Sequence, residues 1–149
     1  LYVVVGENKV TGFAVLKDFI NINATYISGV VKRMQAPSRI IEKIIEEHIQ
    51  NFETVVVRTQ NDRVVEIMAN LCKSVAPVDF PARKSEFEVL RYMGLSTNVN
   101  EKMISKDYYG GAPMIGLGNR ERSVNSRVTT ATDRLNYEKG DALLLVGYK

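Results

Sequence analysis

Residues 53–59 read ETVVVRT, a continuous β-branched run with a helical pattern on each side of it. A run without polar alternation marks a strand covered on both faces, and such strands sit inside sheets that carry helices above and below. Ahead of it, Ile40, Ile41, Ile44, Ile45, Ile49 and Phe52 share one side of a helical period, with Glu42, Lys43, Glu46, Glu47 and Gln50 opposite. That is the pattern of a helix packed on a sheet. Ahead of the helix lies another β-rich stretch, ATYISGVV at residues 24–31. A helix joining two strands of one sheet implies a right-handed parallel crossover.

The flanking segments extend this unit. Residues 1–5 and 10–16 are strand-like and separated by GENK, an antiparallel hairpin to which residues 24–31 add a third antiparallel strand. Residues 60–73, QNDRVVEIMANLCK, form a second helix, with Asn61 or Asp62 as N-cap and Val64, Val65, Met68, Leu71 and Cys72 toward the core. Phe87, Leu90 and Met93 have the spacing of one short helix, while residues 94–132, rich in Ser, Thr, Asn, Gly and Arg, read as loops with one strand around residues 112–117. The apolar run at residues 142–146 is a final buried strand that completes the sheet. The expectation is an α/β (α+β) fold, a mixed and mostly antiparallel sheet of about six strands flanked by helices, in one domain. Leu1 already stands in a strand pattern without an initiator methionine, so a trimmed piece or the inside of a longer product is expected, with an N-terminal segment missing.

Composition narrows the function classes. A chain of 149 residues with 45% hydrophobic and 25% charged content has the balance of a globular domain. No apolar run approaches the roughly 20 residues that span a bilayer, so no membrane partner is expected. Cys72 is the only cysteine and His48 the only histidine, which excludes an internal disulfide framework and any Cys-rich or multi-histidine zinc site. Both lie on apolar helix faces and read as core residues, Cys72 as a buried thiol and His48 as a satisfied, partly buried imidazole. One thiol fits a reducing, cytoplasmic compartment. The net charge of +3 suits an anionic ligand but is too small to argue for nucleic acid by itself.

Between the third strand and the first helix stands a turn without glycine. Residues 30–47 read VVKRMQAPSRIIEKIIEE. A strand-to-helix turn presents free backbone N–H groups and the positive end of the helix dipole, which together seat phosphate-bearing ligands. Most such turns use glycine where backbone must approach a ligand or take positive φ. Pro37 and Ser38 instead suit ordinary φ values, the proline in a first helical turn and the serine as a cap or a hydroxyl donor. Read alone, QAPSR is a helix start and nothing more.

The order of elements, with TYISGVVKRMQAPSRIIEKII and VVVRTQNDRVVEIMANL within it, resembles the core of the GNAT acyltransferase superfamily. The likeness covers residues 1–73 in outline together with the last strand. It implies an acyl-CoA-dependent N-acyltransferase, with acetyl-CoA as co-substrate, no metal, and a small-molecule or peptide amine as acceptor. In the family the first stretch is the strand and turn that hold acyl-CoA. Its Gln or Arg corresponds to Gln35, while Ser38 and Ile40 stand where its glycines usually are. The resemblance sets the backbone of Val30, Val31 and Lys32 against the pantetheine arm. It wraps the turn from Gln35 through Ala36, Pro37, Ser38 and Arg39 to Ile40 around the pyrophosphate, with Arg33 and Arg39 adding charge-assisted bonds. Asn61 stands where the family commonly has a cofactor-contacting Asn, although as an N-cap it needs no ligand. Many members have, further along that helix, a Tyr that protonates the leaving thiolate; Met68 occupies that place here.

Acyl transfer to an amine needs a base, an oxyanion donor such as a backbone N–H on the ligand-holding strand, and an acid for the thiolate. Tyr26, Tyr108 and Tyr109 are the candidate acids, although a tyrosine with its large apolar body is more often a packing residue. Glu53, Asp79 and Asp107 are candidate bases, none of them assigned. Two other functions stay open. A GNAT-like module without catalysis, used for ligand sensing or interaction, fits the missing glycines and Met68. A nucleic-acid-binding module would use Arg120, Arg122, Arg127 and Arg134, which otherwise read as solvated loop charges. In that loop Gly116 and Gly118 lack the third glycine of a dinucleotide fingerprint. On the first reading nucleic acid is not a partner, and a homo-oligomer is left open.

Overall fold

Side chains alternate along a strand, so a strand buried on both faces feeds two cores. Thr54–Thr59 does this: Val55 and Val57 enter one apolar cluster and Val56 the other. The computed structural model describes residues 1–6, 9–32, 40–113 and 122–149. Their elements, in chain order, are β1 (Tyr2–Gly6), β2 (Lys9–Phe19), β3 (Ala24–Lys32), α1 (Ile40–Ile49), β4 (Thr54–Thr59), α2 (Asp62–Leu71), β5 (Ser74–Ala76), α3 (Lys84–Tyr92), β6 (Ile104–Ser105), α4 (Ser126–Thr132) and β7 (Ala142–Tyr148). No helix among them is long and apolar enough to cross a membrane.

The sheet has seven strands in the order β1-β2-β3-β4-β7-β5, with β6 also paired to β7. Among the described residues only β3 and β4 run parallel, with α1 between them in the chain, and every other pair is antiparallel. This is the α/β class and the mixed, mostly antiparallel sheet expected from the sequence, and β7 is its last buried strand. β7 lies at the centre of the second half, hydrogen-bonded to β4 on one edge and to β5 and β6 on the other.

Helices cover both faces. On one, Ile45 and Ile49 of α1, Val65 and Met68 of α2, and Val128 and Ala131 of α4 pack on Ile27, Val55, Val57, Leu143 and Leu145. On the other, Leu90 and Met93 at the end of α3 pack on Tyr26, Val56, Leu144 and Val146. The α3 helix is tied down by Glu86, whose buried carboxylate accepts from the Arg83 N–H at 2.6 Å, the Ser85 hydroxyl at 2.9 Å and the Tyr148 hydroxyl at 2.5 Å.

Three details differ from the sequence expectation. The loop-like stretch contains α4, β6 and the folded turns around them, because α4 is capped by Asn125, which accepts from the Arg127 N–H at 3.0 Å, and buries Val128, Ala131 and Thr132. β5 follows α2 directly. The strand expected around residues 112–117 is not found at Ala112 or Pro113, and its remaining residues lie outside those described.

Cys72 is buried with its thiol pushed up to about 11 by burial, which fits a core thiol and weighs against a nucleophile. It packs where α2 meets β7 at Gly147, whose hypothetical Cβ would lie 2.5 Å from the Cys72 sulfur. His48 is satisfied: Nδ1 meets the Tyr2 hydroxyl at 2.8 Å and Nε2 meets Asp18 at 2.9 Å.

Candidate functional site

The parallel pair at the heart of the sheet forks. β3 and β4 are in register from Ala24↔Thr54 to Ile27↔Val57 and no further, although β3 continues to Lys32 and β4 to Thr59. The register of β2 with β3 explains why. Val15 lies opposite Gly29 and Leu16 opposite Ile27, so Ser28 is one extra residue on β3, a β-bulge. A bulge bends its strand and sharpens the local twist. It falls at the residue where pairing with β4 ends, and the Ser28 hydroxyl donates back to the Val15 carbonyl at 3.1 Å. Beyond it, residues 29–32 keep their bonds to β2 and have no β4 partner on the other edge.

Side chains gather on one face of this fork. Tyr26, 8% exposed, precedes the last parallel pair, and Arg58 follows it on β4. Tyr108 and Tyr109 come in from the turns after β6, their rings 4.9 Å apart. The Arg58 guanidinium lies 4.2 Å from the Tyr108 ring centroid and donates through Nη2 to the Leu95 carbonyl at 2.8 Å. The Tyr108 hydroxyl lies near enough to Tyr26 to help raise its pKa. The three tyrosines picked from the sequence as candidate acids thus stand together around one arginine.

Burial sets their protonation. Tyr109 is pushed up to about 12, by burial first and then by its tyrosine neighbours, with Arg58 pulling the other way. Tyr26 is raised for the same first reason and by Tyr108. Both hold their protons throughout the neutral range.

The turns that carry Tyr108 and Tyr109 are anchored from below by Asp141. Its carboxylate accepts from Lys106 Nζ at 2.7 Å, from the Asp107 N–H at 3.2 Å and from the Asn136 N–H at 3.1 Å. Burial opposes ionisation, but these donors outweigh it and hold Asp141 below the usual carboxylate range. The Tyr109 N–H donates to the Gly140 carbonyl at 3.0 Å. Gly140 has φ of 75°, and a Cβ there would stand 2.6 Å from the Ala112 carbonyl oxygen, so this position requires glycine.

Beside the tyrosines opens a cleft of about 310 Å³, lined by Arg58, Leu95, Thr97, Asn98, Lys106 and Tyr108 among others. Asp107 is also in its wall, the one candidate base that reaches it. Glu53 sits at the opposite end of β4, and Asp79 is taken up by the Val75 N–H at 2.8 Å and Arg127 at 2.5 Å. Asn98 and Asp107 both have positive φ, 57° and 51°, which these two residue types tolerate better than most.

Of the residues assigned to acyl-CoA by resemblance, Val30, Val31 and Lys32 form the end of β3 that pairs with β2 and not with β4, and Val30 is exposed. Arg33, Gln35, Ala36, Pro37, Ser38 and Arg39 lie outside the described residues, and Ile40 begins α1. Asn61 is the N-cap of α2, its side chain accepting from the Arg63 N–H at 2.8 Å. Met68 is packed in the core at 1% exposure and can supply no proton. Arg122 spans Asp62 and Asp133, and with Arg127 on Asp79 two of the arginines of the nucleic-acid alternative are engaged within the fold. Among the described residues no cluster of His, Cys, Asp or Glu could hold a metal ion.

Sequence reasoning missed Arg58, Thr97, Asn98, Lys106 and Asp141. Arg58 carried a signal, since it is the one charge inside TVVVRT, a run otherwise fit for burial. Fold and site together define an α/β protein with a forked parallel strand pair and, beside the fork, a polar cleft whose wall holds Arg58, Asp107 and Tyr108. No protein-family model, curated protein or solved structure matches the chain.

Proposed function

We propose that the protein is an acyl-CoA-dependent N-acyltransferase of the GNAT type, moving an acetyl group to an amine. The observation that carries this reading is the fork at Ser28, which leaves residues 29–32 of β3 with a backbone edge unpaired by β4. An extended ligand arm such as pantetheine docks on such an edge by strand-like hydrogen bonds. The element order on which the resemblance rests, meander, parallel crossover, helix and closing strand, is also the observed one.

The co-substrate supplies the acyl group as a thioester. The amine nitrogen forms the new amide bond as the carbon–sulfur bond breaks, so the amine gives up one proton and the thiolate takes one. Asp107, in the cleft wall, is placed to accept the first, directly or through water. Tyr26, still protonated at neutral pH, and its neighbour Tyr108 are the candidates to deliver the second. A backbone N–H of the bulge at Ser28 and Gly29 is the oxyanion donor.

A ligand-sensing domain without turnover is the second reading, favoured by Met68, which buries the position of the family's usual acid. Thermal-shift measurements with acetyl-CoA and with free CoA test both readings. Stabilisation by acetyl-CoA is expected, and its absence at millimolar concentration rules out both. Thiol release with a panel of amines then separates enzyme from sensor.

A further inference from the structure

We infer that the cleft beside the fork is a carboxylate subsite, and that the acyl acceptor is a free amino acid or a similarly small amino carboxylate. This rests on the acyltransferase reading above and goes beyond it in naming the acceptor class.

The argument starts from a cation without an anion. Arg58 is half-buried on a strand whose neighbours are apolar, and among the described residues no carboxylate pairs with it. Of the five N–H donors of a guanidinium, one is used, on the Leu95 carbonyl. Its Nε is buried with no hydrogen-bond partner at all. Such an arrangement is costly unless something negative completes it. Stacking on Tyr108 and the bond to Leu95 keep the guanidinium fixed, so a ligand meets a preset fork of donors.

The cleft selects the rest of the ligand. At about 310 Å³ it stands at the small end of metabolite sites, too small for a peptide side to be buried in it. Its walls are polar, with Thr97, Asn98 and Ser105 offering hydrogen bonds. Lys106 is neutralised by Asp141 at 2.7 Å, which leaves Arg58 as the wall's unpaired cation among the described residues. Asp107 supplies a negative group in the same wall. One cationic and one anionic group in a small polar cleft match a molecule that carries both a carboxylate and an amine. The carboxylate meets Arg58, which directs the amine toward Asp107 and the tyrosines at the fork.

The test is binding by calorimetry to the wild-type protein without acetyl-CoA, using a panel of L-amino acids, the amines left by removing their carboxylate, and inorganic phosphate. At least one amino acid is expected to bind roughly 10- to 100-fold more tightly than its decarboxylated amine, the range for one charge-assisted bidentate contact. Arg58→Met is expected to abolish the difference and Arg58→Lys to restore part of it, with circular dichroism reporting that each is folded. Equal binding of acid and amine, no binding of either, or tighter binding of phosphate than of every amino acid would each overturn the inference. Because acetyl-CoA is absent, failure of the carboxylate subsite is read separately from failure of the acyl-CoA reading in the thermal-shift measurement.

Discussion

At the scale of single residues, the site is a set of groups whose protons are fixed by burial. Tyr26, Tyr109 and Tyr148 are all raised above the ordinary tyrosine value, chiefly by burial, and Tyr148 also donates to Glu86. An ultraviolet titration of the folded protein is therefore expected to show fewer than the seven tyrosines of the sequence ionising by a pH of about 11, with Tyr109→Phe removing part of the late component. A full phenolate amplitude before unfolding would contradict it. Asp141 works in the opposite sense. Its folded value lies below the ordinary 3.8, so its contribution is present above that pH and is lost as pH falls through the lower folded value. Asp141→Asn should abolish this acid-sensitive step and loosen the turn carrying Lys106 and Asp107, seen as faster amide exchange at Asp107 at neutral pH. Gly140→Ala adds a Cβ into the Ala112 carbonyl at positive φ, and a loss of about 1–3 kcal/mol is expected in chemical denaturation.

At the scale of elements, the bulge decides the shape of the site. Deleting Ser28 would bring Gly29 into the regular ladder after Ile27 and let β3 run on beside β4. The expected outcome is a folded protein that has lost stabilisation by acetyl-CoA, and unchanged stabilisation would show that the fork is not the docking edge. Elements with a strong period were legible in the sequence: β3, α1, β4 and α2 follow directly from ATYISGVV, IIEKIIEEHI and VVVRT and the Asn61 cap. Those without one were not. α4 is SRVTTAT, short and rich in β-branched residues that favour helices weakly, and it is held by burial against α2 rather than by propensity. β5 and β6 span three and two residues, too few for any alternation to show. The site divides the same way. Tyr26, Tyr108 and Tyr109 could be named from residue chemistry, but Asp141 and Gly140 act through the Lys106 ammonium and the backbone N–H groups of Asp107 and Tyr109, contacts that no local pattern records.

At the scale of the whole molecule, two cores share one sheet, and β4 and β7 belong to both. Leu144→Ala, at 0% exposure in the α3-side cluster, is expected to cost about 2–5 kcal/mol, whereas Val124→Ala at a fully exposed position should stay within about 0.5 kcal/mol. Comparable losses at the two sites would mean that Leu144 is not in the core. The position of β7 has a further consequence, for the order in which the chain can be assembled. Its bonds to β4, β5 and β6 join residues 54–59, 74–76 and 104–105 to residues 142–148. During synthesis the first meander and the parallel crossover are made early, yet β4 keeps an open apolar edge until residues 142–148 have left the ribosome. The nascent protein therefore spends much of its translation with an unpaired strand in the middle of its future sheet, the period in which a holding chaperone has the most to protect.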